Sequence, residues 1–200
     1  SEWKYALGAT YTFPDEYILM TDFMYTVRKN EAYIKNIAVE QVGTMADGRP
    51  IYGEREAGRS EDLMLTNLSD DTKAFSFSTA ISKSYDFGLS GSLAYAFTES
   101  EDGNPMTSSV AYSNYTNLAT ADRENPGIAT SNYEIPHRFT FRGTYTAEWL
   151  AGYDTTFSVF ASANKGRPYS FTMNAPVGDI TSGRSLLYVP TGIDDPNVAW

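Results

Sequence analysis

Cysteine is absent from the 200 residues, and histidine occurs once, at His137. The first absence removes disulfide scaffolds, thiolate metal sites and cysteine nucleophiles. The second removes the multi-imidazole metal sites that zinc chemistry uses. No run approaches the roughly 20 apolar residues of a membrane-spanning helix. Basic residues are scarce: 15 Lys and Arg stand against 25 Asp and Glu, a formal charge of -10. Phosphate recognition needs a basic surface, so no nucleic acid partner is expected. The stretch from Ser1 to Phe13 has neither a basic region nor a continuous apolar core of the signal-peptide kind, so a mature chain or an internal piece is expected.

Aromatic residues are abundant, at 14% with 15 Tyr and 11 Phe, which argues for a folded chain. Their spacing sets the class. From Trp3 to Phe13 the odd positions are Trp, Tyr, Leu, Ala, Tyr and Phe, and the even ones are Lys, Ala, Gly, Thr and Thr. That is period two, one apolar face and one small or polar face, and it predicts a β-strand. After the Pro14-Asp15-Glu16 turn a second run extends from Tyr17 to Lys29, with Ile18, Met20 and Met24 blurring the alternation. Lys73 to Lys83, Phe87 to Thr98, His137 to Thr146 and Asp154 to Lys165 repeat the pattern, with Phe160 intruding on the polar side of the last. The prediction is all-β, with about six antiparallel strands.

The connections alternate in length. Short turns join the strands within each pair, whereas about 30–72 and 99–136 are long. Segments that long are uncommon in compact soluble domains. Short turns at one end and long loops at the other mark a transmembrane β-barrel. Strands of about eleven residues, rising ~3.3 Å each and tilted ~45°, cross about 25 Å, the height of its apolar band. Leu7, Phe77, Leu89, Phe139, Phe141 and Tyr145 are then expected to face lipid, and Asp22, Arg28, Arg138 and Arg142 the lumen. The same alternation puts Arg138 and Arg142 about 13 Å apart, so separate acidic partners are expected for them, on neighbouring strands or on a plug. Aromatic residues near strand ends (Trp3, Phe13, Tyr17, Phe87, Phe97, Trp149, Tyr153) match an interfacial girdle. Within the first long segment, Ile37–Tyr52 reads as a hairpin about Asp47-Gly48.

Chemical motifs are sparse. His137 follows Pro136 at a strand start with no nucleophile elbow in the chain, so no catalytic residue is expected and the chain is read as no enzyme. Glu99, Glu101 and Asp102 cluster at a strand exit; the spacing does not match an EF-hand or a glycosidase pair, and loop calcium stays open. Gly166-Arg167-Pro168-Tyr169 lacks the spacing of a phosphate cradle. Beyond that open question, no metal or cofactor is expected. Tyr112, Tyr115, Tyr133, Arg49 and Arg123, all in the long segments, are candidate ligand contacts.

Three motifs carry a resemblance. Ile135-Pro136-His137-Arg138-Phe139-Thr140, Gly166-Arg167-Pro168-Tyr169-Ser170-Phe171 and Arg184-Ser185-Leu186-Leu187-Tyr188-Val189-Pro190, in that order, resemble late-barrel motifs of TonB-dependent outer-membrane receptors, particularly the Oar-like group. The resemblance implies a barrel of about 22 strands filled by a plug. It also implies a Gram-negative outer membrane, surrounding lipid, and import driven by the inner-membrane TonB complex acting through the plug. The 200 residues hold no plug or TonB box, so they are expected to be an internal, late-barrel fragment (1–200). The substrate, a small molecule, peptide or saccharide, stays open. Two alternatives stand beside this one: a small outer-membrane adhesin or passive pore, and a soluble β-sandwich carbohydrate-binding module.

Overall fold

The computed structural model describes residues 1–173, 177–178 and 184–197. In chain order the strands begin with β1 (Glu2–Thr12) and β2 (Ile18–Arg28). Four short ones follow: β3 (Ala32–Asn36), β4 (Val39–Thr44), β5 (Pro50–Glu54) and β6 (Leu63–Asn67). Two long strands come next, β7 (Thr72–Ser84) and β8 (Leu89–Asp102). A helix of six residues, α1 (Ala111–Thr116), and β9 (Ala129–Thr130) precede β10 (His137–Leu150) and β11 (Tyr153–Asn164). The last two are β12 (Thr172–Met173) and β13 (Ser185–Leu186).

The six long strands form an antiparallel meander in the order β1-β2-β7-β8-β10-β11. The fold is therefore all-β and antiparallel, as the alternation predicts. Because the long strands alternate in direction, the three short turns (13–17, 85–88 and 151–152) lie at one end of the sheet and the long segments at the other. The middle turn depends on Gly88. Its φ is +91°, and a Cβ there would collide with the carbonyl oxygen of Thr146 on the neighbouring strand. Only glycine meets both demands without strain. The turn is closed by Gly88 N–H donating to the Tyr85 carbonyl at 3.0 Å and Tyr85 N–H donating to Leu89 at 2.7 Å. The fourth strand accordingly starts at Leu89, two residues later than its period-two run begins, because Phe87 and Gly88 belong to the turn.

The buried apolar residues do not belong to this sheet. Tyr33, Ile34, Ala38, Val39, Leu68 and Tyr115 all lie in the long segments. In the first of these (29–71), β4 and β5 pair as the hairpin expected about Asp47-Gly48, and Gly48 takes the left-handed φ of +85° that such a turn needs. Outside it, β3 pairs with β6, a contact the alternation does not announce. The second segment (103–136) is held back on the sheet by Glu134, whose carboxylate accepts from Ser100 N–H at 2.6 Å, and by β9 pairing with the end of β8.

Candidate functional site

The register sorts the side chains of the sheet. Reading across the pairs, Leu7 faces Phe23, Phe23 faces Phe77, Phe77 faces Phe97, and Phe97 faces His137. A parallel row runs Tyr11, Leu19, Ile81, Leu93, Phe141 and Ala161. Residues directly opposite in a ladder share a face. Leu7, Phe77, Leu89, Phe139, Phe141 and Tyr145 therefore all lie on one face, and that face continues across six strands. It is open: Leu7 is 73% exposed, and Tyr5, Leu93, Phe139, Phe141, Phe157 and Val159 are exposed with it.

The other face carries Asp22, Arg28, Arg138 and Arg142. Asp22, Ser78, Ala96 and Arg138 occupy one cross-strand row, so the backbones of Asp22 and Arg138 stand three strand spacings apart, about 14 Å. Ser78, Ala80, Ala94 and Ala96 floor a shallow groove of about 200 Å³ between them. Gly8, opposite Asp22, leaves room for that carboxylate; a Cβ there would meet Asp22 Oδ1 at 2.7 Å. Arg142 faces Ser92 on one side and the intruding Phe160 on the other. Arg28 reaches Glu2 across the first hairpin at 3.5 Å. Arg138 and Arg142 form no ion pair among the described residues, because the neighbouring strands offer them Ala96, Asn164, Ser92 and Phe160 where acidic partners were expected.

Aromatic side chains gather at the short turns. Tyr11 packs edge-on against Phe13 at 4.8 Å, Trp149 lies 5.1 Å from Phe157, and the Tyr17 and Tyr85 hydroxyls are 3.2 Å apart. Lys83, the one lysine near this end of the apolar face, holds its ammonium 4.4 and 4.6 Å from the Tyr17 and Tyr85 rings. Cation–π contact of this kind lets an apolar surface end in a charge.

At the far end the two long segments pack on one another and on a third, the described residues of 165–197. Glu124 is their hub: Tyr115 donates its hydroxyl to Oε1 at 2.6 Å, and Asn36 N–H donates to Oε2 at 2.8 Å. Tyr33 donates to the Glu124 carbonyl at 3.1 Å. Tyr52 donates to Asp122 at 2.8 Å, joining the first segment to the second. Arg49, clamped by Asp47, donates to the Leu186 carbonyl at 2.8 Å, and Arg123 donates to the Arg184 carbonyl at 3.2 Å. These bonds tie in the third segment. Burial pushes the Tyr33 hydroxyl above its ordinary value, and the negative charge of Glu124 adds to the effect.

This packing corrects the list of ligand contacts. Tyr115 is 1% exposed, Arg123 is buried with it, and Arg49 is spent on the Leu186 carbonyl, so all three build the loop assembly. Tyr112 and Tyr133 remain exposed, with the Arg167 guanidinium 5.5 Å from the Tyr133 ring. Glu99, Glu101 and Asp102 hold no metal-type cluster among the described residues; Glu101 instead accepts from Lys73 N–H at 3.2 Å. His137 opens β10, where its Nδ1 meets the Tyr95 hydroxyl at 2.9 Å. Between the second and third segments lies a cleft of about 440 Å³, lined mostly by Asn, Ser, Thr and Pro. Sequence reasoning did not single it out, because its residues are scattered between positions 102 and 184.

Asp195 organises the end of the third segment. It accepts from the N–H of Thr191 at 2.8 Å, the Tyr188 hydroxyl at 2.7 Å and the N–H of Asn197 at 2.9 Å. Thr191 N–H first, then Tyr188, then Asn197, bring its carboxyl from 3.8 to about 2. A folded value below the free one favours the closed loop at pH above 3.8, and that contribution disappears as the pH falls through about 2. Protection factors for amide exchange over 188–197, corrected for the intrinsic rate at each pH, are expected to fall from pH 5 to pH 2. Asp195→Asn should remove the dependence.

No family model, curated protein or solved structure matches this chain.

Proposed function

We propose that this chain is part of an outer-membrane active transporter of the TonB-dependent receptor type, which binds and imports a scarce substrate. One observation carries the reading. An apolar face exposed across six antiparallel strands ends in aromatic side chains at the short turns, and packed long segments stand at the opposite end. In water such a face would need a covering layer, since exposed apolar patches beyond a few hundred Å² mark interaction surfaces. In a bilayer, lipid covers it, and the small, hydroxylated face with Asp22, Arg138 and Arg142 lines the lumen. A soluble sandwich would need a second sheet on Leu7, Phe139 and Phe141, and the long segments pack on each other.

In this reading the resemblance of Ile135–Thr140, Gly166–Phe171 and Arg184–Pro190 adds the plug and the energy coupling. The first motif opens β10, the second follows the end of β11, and the third runs through β13. The polar face would then meet the plug, whose groups would supply the partners that neighbouring strands do not give Arg138 and Arg142.

The absence of cysteine from these 200 residues lets single cysteines be placed among them for a direct test. Single cysteines at Leu7, Phe77 or Leu93 in the native protein, in isolated outer membranes, should resist a water-soluble maleimide. Cysteines at Ser76, Ser78 or Thr140 should react once the membranes are opened. Fast labelling at all six positions would defeat the proposal.

A further inference from the structure

The cleft between the second and third long segments offers a wall of uncharged hydrogen-bonding groups. Asn117 and Asn132 are exposed on it, and their side-chain amides form no hydrogen bond among the described residues. Deeper polar groups are already engaged and act as frame: Asn114 accepts from Ser108 N–H at 2.8 Å and donates to its carbonyl at 2.7 Å, and Asn104 accepts from Met106 N–H at 3.1 Å. Tyr169 stands at the rim, 78% exposed, its ring held edge-to-face by Phe171 at 5.4 Å.

Charge narrows the ligand class. Among the described residues the lining contains one acid, Asp102, and one base, Arg184, in a chain that is otherwise strongly acidic. A phosphate or carboxylate ligand would need more cationic donors than one. A bare cation would need several carboxylates, and no group of three acidic or imidazole side chains is close enough among the described residues. An apolar ligand or a side-chain-directed peptide would need greasy pockets, and Leu118 is the only large aliphatic residue among the described residues of the lining. What fits amides and hydroxyls around one exposed ring is a neutral molecule dense in hydroxyls with flat apolar patches.

We propose that this cleft binds a neutral oligosaccharide, with Asn117 and Asn132 engaging its hydroxyls and Tyr169 stacking on a sugar face. A volume of about 440 Å³ lies within the range of small-molecule sites and takes a short oligosaccharide segment. The inference rests on the transporter reading for the cleft's place on the outer face, and it deepens that reading by naming the substrate class.

The test uses the native protein purified from outer membranes in detergent. It is titrated calorimetrically with neutral tetrasaccharides of glucose, xylose and N-acetylglucosamine, beside a tetragalacturonate and a neutral hexapeptide. At least one neutral sugar should bind, with Tyr169→Ala and Asn132→Ala each weakening it about tenfold and Tyr169→Phe retaining most affinity. Both side chains are exposed, so neither change should disturb heat-modifiable migration of the folded protein. No sugar binding by the folded protein, sugar binding indifferent to both alanine variants, or tighter binding of the peptide or the uronate would overturn the inference. Cysteine labelling on the same preparation reads the transporter proposal separately: labelling can succeed where sugar binding fails, and the converse.

Discussion

On the proposed transporter reading, Leu93→Arg is expected to abolish assembly of the protein into the outer membrane, while Ala94→Arg, one residue on, leaves it assembled. Leu93 sits mid-strand on the apolar face between Ile81 and Phe141, whereas Ala94 sits on the opposite face between Ala80 and Thr140. An arginine facing lipid near the midplane costs about 2–4 kcal/mol, or roughly 30- to 1,000-fold in the assembled fraction. The same arginine on a face that meets water costs little. Heat-modifiable migration and protease resistance in isolated outer membranes read the outcome. Equal assembly of both variants would remove lipid from the account of this face. Failure of Ala94→Arg alone would invert the two faces.

The second large effect concerns the loop assembly. Glu124→Ala deletes the acceptor of the Tyr115 hydroxyl and of Asn36 N–H, both inside the packed segments. A buried donor left without its acceptor costs about 1–3 kcal/mol, so the pair gives about 2–6 kcal/mol. That is enough to open the long segments without touching the ladder of the sheet. Trypsin should then cut within 29–71 and 103–136 at least tenfold faster, with the six-stranded sheet still protected. Glu124→Gln keeps one carbonyl acceptor and should fall between. A cleavage rate unchanged in Glu124→Ala would mean that the three segments are held together by other contacts.

The sheet was legible in the sequence because two independent signals agree there. Alternation such as Phe75, Phe77 and Ile81 against Ser76, Ser78 and Ser82 sets the face, and short turns set the pairing of neighbours. The six runs predicted from this are the six long strands. The loop assembly lacks both signals. Strands β3 and β6 are separated by 37–62, so no local turn announces their pairing. Helix α1, Ala-Tyr-Ser-Asn-Tyr-Thr, has no periodic stripe and is too short for propensity to speak. Glu124 looks like any solvated loop acid, and its role depends on Asn36 and Tyr33, some ninety positions away. Exposed-looking tyrosines and arginines therefore divide into builders, such as Tyr115 and Arg123, and surface residues, such as Tyr133, only once the segments are packed.

The register also carries a measure of inclination. Between the first and second hairpins the pairing slips by about two residues relative to their turns, and between the second and third by about four in the same direction. About six residues is ~20 Å along the strands, accumulated over four strand spacings, ~19 Å across them. With the three turns set level, the strands lean at roughly 45°, the slant of strands in a closed barrel. Each hydrogen-bonded row is then a ramp, rising about 14 Å from Leu7 on β1 to His137 on β10. The chain's single imidazole shares a face with Leu7 and Phe77 but stands at the top of that ramp, where a polar ring bonded to the Tyr95 hydroxyl can meet water.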